Sequence, residues 1–433
     1  MREMKNSGIE WIGEIPKDWE SRKIKYIATL NGRIGWQGLT SNEYCDDGAY
    51  LITGVNFNNG KIDWSTCVHV PMKRWEEASQ IQIENGDLLI TKDGTVGKVA
   101  IVSNMPAETS LNSGVLLIRT KDNCLKKFLF WVLQSDVFWK WFYTINSGNS
   151  TIIHLYQYDF CNFSFPFPKL DIQHRIAEYL DKKCSKIDEI ISKQQTIIEK
   201  LKEYKLSIIT EAVTKGLNPD VTMKDSGVEW IGEIPEHWKI TKIKHKAILN
   251  PKCDFSHISY DTLITYTPME CVKNGYYNNR TEILSKIPSS LTPFEEGDIV
   301  MAKVTPCFEN GNIAIMNNLQ SKVGLGSSEL FVFRSKGILT KYLFYFLQNI
   351  NFTRQACLTM TGAGGLKRVS SEFCKNCKLP LPPYIEQEQI ADYLDSKCEK
   401  IDFTINKKQK LIDKLKEYKK SLIYEVVTGK KEV

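Results

Sequence analysis

The sequence predicts an α+β protein. Two α/β heads are separated by a long antiparallel two-helix coiled coil, and the chain is a cyclic pseudo-two-fold repeat. Three observations predict this. The phrase SGIEWIGEIPKDW, Ser7 to Trp19, returns 219 positions later as SGVEWIGEIPEHW, Ser226 to Trp238. Two Lys/Glu/Ile/Leu-rich tails return with a shift of 214: IAEYLDKKCSKID from Ile176 as IADYLDSKCEKID from Ile390, and KLKEYKLSIITEAVT from Lys200 as KLKEYKKSLIYEVVT from Lys414. The stretches between phrase and tail repeat in pattern but not in wording. Two copies are too few to stack as a solenoid, and they imitate a symmetric dimer within one chain.

The elements follow in order. In the opening phrase, Ile9, Trp11, Ile12, Ile15 and Trp19 form an apolar set and Pro16 fixes a turn. The phrase is expected to be a joint between a helix and a head, with a docking surface for a partner as the other reading. The first head then shows strands parted by Gly and Asn turns. YLITGVNFNNGKIDW (Tyr50 to Trp64) reads as a hairpin with an Asn-Asn-Gly turn, and TYTPMECVKNGYYNN (Thr265 to Asn279) is its cousin. NGDLLITKDGTVGKVAIV (Asn85 to Val102) and EGDIVMAKVTPCFENGNIAIM (Glu296 to Met316) read as strand, polar turn, strand. SGVLLIRTK and SELFVFRSK are further strands, and KKFLFWVLQS and TKYLFYFLQN are short apolar helices.

The tails are helices. In the first, Ile176, Leu180, Cys184, Ile187, Ile191, Gln194, Ile198, Leu201, Lys205, Ile208 and Ala212 alternate spacings of three and four. The second has Ile390, Leu394, Cys398, Ile401, Ile405, Lys408, Ile412, Leu415, Lys419, Leu422 and Val426. A seam with a period near 3.5 and charges elsewhere is the coiled-coil pattern. Ile190, Ile197 and Tyr204 are expected to widen it. About 40 residues at ~1.5 Å each make a rod of roughly 60 Å. Because the first helix leads from head one to head two, a paired second helix must return antiparallel to it. The expected divisions are head one at 1–169, the first helix at 170–215, head two at 216–383 and the second helix at 384–433.

Composition narrows the function. The 433 residues suit two to four domains, and 42% hydrophobic with 25% charged residues is ordinary for a soluble globular chain. No apolar run approaches the ~20 residues of a membrane span, and the N-terminus lacks a secretory apolar core, so a cytoplasmic protein is expected. Twelve cysteines then read as reduced thiols. Cys374-Lys-Asn-Cys377 is a single CxxC without a second pair, better read as two half-buried thiols than as a metal site. The net charge of +6 leans weakly toward a polyanionic partner. There is no P-loop, no HExxH and no paired-His motif. LPPYIEQ (Leu381 to Gln387) lacks the polar first residue of an amine-holding methyltransferase loop. TGAGGLKR (Thr361 to Arg368) reads as a flexible glycine-rich loop whose Lys367 and Arg368 could meet phosphates. Asp87 with Glu84 and Lys92, and Asp298 with Glu295, Glu296 and Lys303, faintly suggest a nuclease strand, but turns entering strands are the simpler reading.

GEIPKDW and GEIPEHW, then GDLLI with GKVAIV, then a Pro-rich stretch into IEQEQIADYLD, then a long helix ending KKSLIYEVVTGK resemble the specificity subunits of Type I restriction-modification systems. The order occurs twice and covers nearly the whole chain. One departure is Ile172-Gln173-His174, where the second copy has Glu386-Gln387-Glu388. The resemblance implies two target-recognition domains, each reading one half of an asymmetric bipartite site on double-stranded DNA. It also implies helices that set the spacer and dock two methyltransferase subunits, with restriction (helicase-nuclease) subunits joining them. S-adenosylmethionine, ATP and Mg would belong to those partners, with no cofactor, metal or catalytic residue in this chain. Polar residues in head turns are then the candidates for DNA contact: Arg33, Gln37, Lys92, Thr95, Asn112, Asn149 and Thr151 in head one, and Lys252, Lys303, Thr305, Ser328, Lys367 and Arg368 in head two. Trp36 is a core Trp or sits at the DNA surface. Two rival readings stand beside this: a DNA methyltransferase or nuclease with unrecognised motifs, and a two-headed protein-binding adaptor.

Overall fold

The computed structural model describes residues 2–35, 38–146, 153–288, 290–363 and 365–433. Six helices carry the architecture: α1 (Lys126–Gln134), α2 (Asp136–Ile145), α3 (Leu170–Lys215), α4 (Thr340–Gln348), α5 (Ile350–Leu358) and α6 (Tyr384–Val427). The chain divides into two units. One is Met1–Gln194 with Lys410–Val433, and the other is Gln195–Gln409. Each unit takes opposite halves of the two long helices, so α3 and α6 pair antiparallel.

In unit 1 the central sheet is antiparallel in the order Val99–Ile101, Leu88–Thr91, Val115–Thr120, Ala28–Gly32. Unit 2 repeats that order with Ile313–Ile315, Ile299–Ala302, Leu330–Ser335 and Ala247–Leu249. A second sheet lies beside each. In unit 1 it has three strands, Thr109–Leu111, Ala49–Ile52 and Val68–Val70. In unit 2 it has four, centred on Leu263–Thr267 and Val323–Gly326. The Asn-Asn-Gly hairpin forms as expected: Phe57–Asn58 pairs with Lys61–Ile62, and Asn59 and Gly60 turn at φ 47° and 79°.

The helix–helix contact is apolar with ionic rungs. Ile176, Leu180, Cys184 and Ile187 of α3 join Leu422, Ile423, Val426 and Val427 of α6 in the unit 1 core. In unit 2, Ile208, Ile209, Ala212 and Val213 share a core with Ile390, Leu394, Cys398 and Ile401. Ile198 and Ile412 are buried, and Ile191, Leu201, Ile405 and Leu415 are partly buried against these cores. Lys205 and Lys419, which fall in the seam, escape it by reaching carboxylates on the other helix. Lys205 Nζ bonds both Asp402 oxygens at 2.9 and 2.8 Å, and Lys419 Nζ bonds Asp188 at 2.7 Å. Ile190, Ile197 and Tyr204 do not widen the seam; they are exposed, because one facing helix covers only a narrow stripe.

Each short apolar helix is fastened to its long one from equivalent positions. Trp131 Nε1 donates to Asp181 Oδ1 at 2.9 Å, and Tyr345 Oη donates to Asp395 Oδ1. Buried Gln173 accepts from Leu125 N at 2.7 Å and donates to Pro168 O at 2.9 Å. Buried Gln387 accepts from Leu339 N at 2.8 Å and donates to Pro382 O at 3.0 Å. The glutamine that performs this task is thus present in both copies. Cys374 and Cys377 are buried more deeply than expected, and burial pushes the Cys374 thiol up to about 12, which leaves the pair unreactive. Among the described residues no helix is long and apolar enough to cross a membrane.

The repeated phrase is packed as a joint. Met4–Asn6 pairs with Glu14–Pro16, and Ile9, Ile12, Ile15 and Trp19 enter the core formed with the end of α6. Tyr424 Oη donates to Trp11 O at 3.3 Å, and Lys430 Nζ to Ile12 O at 2.8 Å. In unit 2, Val228, Ile231, Ile234 and Trp238 pack on the end of α3. The two joints also differ at the indole nitrogen of the buried Trp. Trp238 Nε1 donates to Glu386 Oε2 at 2.8 Å, whereas the buried Trp19 Nε1 has no hydrogen-bond partner among the described residues, because Ile172 stands where the second copy has Glu386. Glu386→Ile should therefore orphan Trp238 and cost about 1–3 kcal/mol, while Glu386→Gln, which keeps an acceptor, should cost less. Urea unfolding of the two variants checks this.

Candidate nucleic-acid interface

In each unit the central sheet ends in loops that gather polar side chains at one edge. In unit 1, Leu88–Thr91 runs into the Lys92–Lys98 loop. Lys92 N donates to Gly114 O at 2.8 Å, and Leu155 N donates to Lys92 O at 2.9 Å. Two backbone bonds thus tie three loops together. Asn112 Oδ1 accepts from Gly114 N at 2.9 Å, shaping the loop that carries Gly114. At this junction Asp93 Oδ1 and His154 Nδ1 meet at 2.7 Å. Thr95 is exposed beyond them, and its carbonyl accepts from Thr91 Oγ1. Gly97, at φ 83°, lies against Trp139, where a Cβ would fall 2.6 Å from the ring.

Unit 2 builds the same junction from different residues. Lys303 N donates to Glu329 O at 3.0 Å, and Val369 N donates to Lys303 O at 2.8 Å. TGAGGLKR is not a free loop: Thr361–Ala363 and Leu366–Arg368 pair as a hairpin. Thr305 clamps that hairpin, donating to Gly365 O at 2.8 Å and accepting from Lys367 N at 2.9 Å. Arg368 Nε and Nη2 grip the Glu329 carboxylate at 2.9 and 2.8 Å, which lowers the carboxyl below its ordinary range, chiefly through that bond. Lys303 Nζ stands 5.7 Å above the Phe331 ring, and Ser328 is exposed.

The sequence candidates therefore sort themselves. Lys92, Thr95 and Asn112 come together in unit 1; Lys303, Thr305, Ser328, Lys367 and Arg368 come together in unit 2. Arg33 is corrected: it is buried, and its guanidinium is committed to Leu111 O at 2.8 Å and Ser110 Oγ at 2.9 Å. Burial and the nearby Arg74 lower its pKa. A guanidinium spent on the Thr109–Leu111 strand of the second sheet is not open to a base edge. Lys252 is exposed but stands apart, near Arg334 rather than at the junction. Gln37, Asn149, Thr151 and Trp36 lie outside the described residues. Asp93, His154 and Glu329 were missed by sequence reasoning. The 214 shift of the helices also carries His154-Leu155 onto Arg368-Val369, a signal that could have found His154.

The two acidic strand entries are structural. Asp87 and Asp298 are buried. Asp87 accepts from Glu84 N at 2.9 Å and pairs with Arg119 at 3.1 and 2.9 Å. Asp298 accepts from Glu295 N at 2.8 Å and pairs with Arg334 at 2.9 and 2.8 Å. These carboxylates are saturated by fixed partners, so they do not form a nuclease centre. Arg334 is held firmly charged by the Asp298 bond.

Residues 16–208 and 238–413 match the family described as Type I restriction modification DNA specificity domain. The chain is 25% identical to the Type I restriction enzyme MjaVIII specificity subunit of Methanocaldococcus jannaschii, over 96% of this chain and 93% of that protein. It is 35% identical to the EcoAI specificity subunit of Escherichia coli, over 39% of this chain and 30% of that protein. The fold resembles the HsdS subunit from Thermoanaerobacter tengcongensis, with TM-score 0.51 and 15% identity over 96% of this chain and 98% of that one. A chain solved in a study of type I R-M complex assembly gives TM-score 0.70 at 14% identity, over 95% and 98% of the two chains.

The contrast between the buried and exposed pairs is measurable. Arg334→Met leaves the Asp298 carboxylate buried and unpaired, and should cost about 3 kcal/mol in denaturant unfolding. Arg368→Met breaks an exposed pair and should leave the unfolding midpoint unchanged.

Proposed function

The chain belongs to the Type I restriction modification DNA specificity family, and from that premise we propose how its two units divide the work. It is the DNA specificity subunit of a type I restriction-modification system, and it is non-catalytic: the family carries no cofactor, and the chemistry lies in partner subunits. In the proposed division, head one (1–169) and head two (216–383) each read one half of an asymmetric, bipartite DNA site. The helices 170–215 and 384–433 act as spacer and as the surface for two methyltransferase subunits, which use S-adenosylmethionine. Restriction subunits using ATP and Mg complete the complex in the cytoplasm.

The observation that carries this reading is the shared junction with unlike side chains. Both heads tie their loops with the same two backbone bonds, to Lys92 and to Lys303. One then presents Asp93, His154 and Thr95; the other presents Arg368, Lys367 and Ser328. A kept frame with changed contact groups suits one task on two targets, because base identity is read by side chains while the frame only positions them.

Mapping methylated adenines genome-wide, with and without this gene, should reveal one asymmetric bipartite motif that depends on it; absence of such a motif refutes the reading. Binding by the complex assembled with its methyltransferase should fall steeply with salt, as phosphate contacts release counterions. Adding one heptad to both long helices lengthens them by about 10 Å, and methylation mapping of that variant should show a changed spacing between unchanged half-sites.

A further inference from the structure

We propose that one backbone position in each head, held by His154 in unit 1 and Arg368 in unit 2, decides which base that head accepts, and that Arg368 reads a guanine. The proposal rests on the heads being DNA-recognition modules, and it names the residue in each that discriminates.

The position is the same in the two folds. His154 and Arg368 each immediately precede the residue whose amide bonds the Lys92 or Lys303 carbonyl, at 2.9 and 2.8 Å. Both side chains meet a carboxylate there: His154 Nδ1 is 2.7 Å from Asp93, and Arg368 Nη2 is 2.8 Å from Glu329. The carboxylates are not equivalent residues. Asp93 follows Lys92 in the first loop, and the residue following Lys303 is Val304. Glu329 supplies the carbonyl that binds Lys303 N, and in unit 1 that carbonyl belongs to Gly114. The carboxylate has thus been placed beside the nitrogen group twice, from two different loops. A pair inherited only as part of the scaffold would keep both positions.

Stability does not explain the pairs. They are open to solvent, with side-chain exposures of 37% and 40% for His154 and Asp93, and 46% and 28% for Arg368 and Glu329. Exposed pairs contribute little to folding. The buried Asp87–Arg119 and Asp298–Arg334 pairs already hold the sheet. What a carboxylate does at an open edge is orient the donor and disfavour phosphate, so the group is kept for bases rather than backbone. Arginine presents a fork that fits guanine O6 and N7, and an adjacent carboxylate can accept from the N4 amino group of the paired cytosine. Histidine has no fork and cannot make that bidentate contact. Unit 1 therefore reads its base at the equivalent point through a single ring nitrogen rather than a fork.

The test uses the complex with its methyltransferase partner and a panel of duplexes in which each base pair of the mapped site is changed in turn. Arg368→Ala should lower discrimination at one G·C position in one half-site by roughly 5- to 150-fold, and leave the other half-site intact. His154→Ala should relax one position in the other half-site only. Arg368→Lys keeps the charge without the fork, and should lose the same discrimination at an unchanged salt slope. Thermal unfolding of all three should match the parent protein. Uniform weakening across every duplex, relaxation spread over both half-sites, or unchanged discrimination would overturn the proposal. A parent complex with no bipartite preference at all would instead refute the reading on which it rests.

Discussion

Burial of the repeated Ile-Trp phrase against the end of a long helix is the constraint on which the rest depends. Trp19 and Trp238 are among the largest fully buried side chains, and each phrase takes part of its cover from the long helix of the other copy. Residues 7–19 pack on the end of α6, and residues 226–238 on the end of α3. Each helix must then stop where the phrase begins. Gly216 and Gly429, at φ 78° and 71°, end the helices there. A Cβ on Gly429 would fall 2.5 Å from Pro16, and one on Gly216 would fall 3.2 Å from Trp238. The space for the joint is set by having no side chain at those points.

A second layer of interactions carries this constraint outward. The Lys205–Asp402 and Lys419–Asp188 pairs let charged residues occupy an apolar seam without being buried unpaired. Gln173 and Gln387 hold the starts of α1 and α4, and Asp181 and Asp395 hold their faces. Asp87–Arg119 and Asp298–Arg334 then brace the central sheets. The interactions that repeat across the copies are the buried or half-buried ones, where removing a partner is costly. The side chains that differ lie at the exposed edge, where exchange costs little. Groups at such an edge can be exchanged between the two heads because they contribute almost nothing to folding.

The legible parts of the chain were those governed by period and chemistry along the sequence. The seam from Ile176 to Leu422, the central strands, the short apolar helices and the Asn-Asn-Gly turn all followed from spacing and turn residues. Failures came where a side chain's environment is set by distant segments. Arg33 reads as a polar turn residue, yet the strand from Thr109 to Leu111 supplies its acceptors and buries it. Ile190, Ile197 and Tyr204 continue an apolar stripe, yet a single facing helix cannot reach them. Thr361–Arg368 reads as a glycine-rich loop, yet Thr305 pins it as a hairpin.

The sequence by itself determined the duplication, the helical seam, the two-headed order and the family, since each rests on residues close in the chain or on one constant shift; it ran the second helix on to 433, whereas α6 stops at Val427. Only the tertiary structure decided which helix end covers which phrase in contact, and which polar residues share an edge. The heads carry insertions, so Lys92 maps to Lys303 by a shift of 211 and Gly114 to Glu329 by 215, and no single alignment brings Asp93 and Glu329 to one place. They become equivalent only when two backbone bonds draw three loops together, because hydrogen-bond geometry, and not position in the chain, defines the junction.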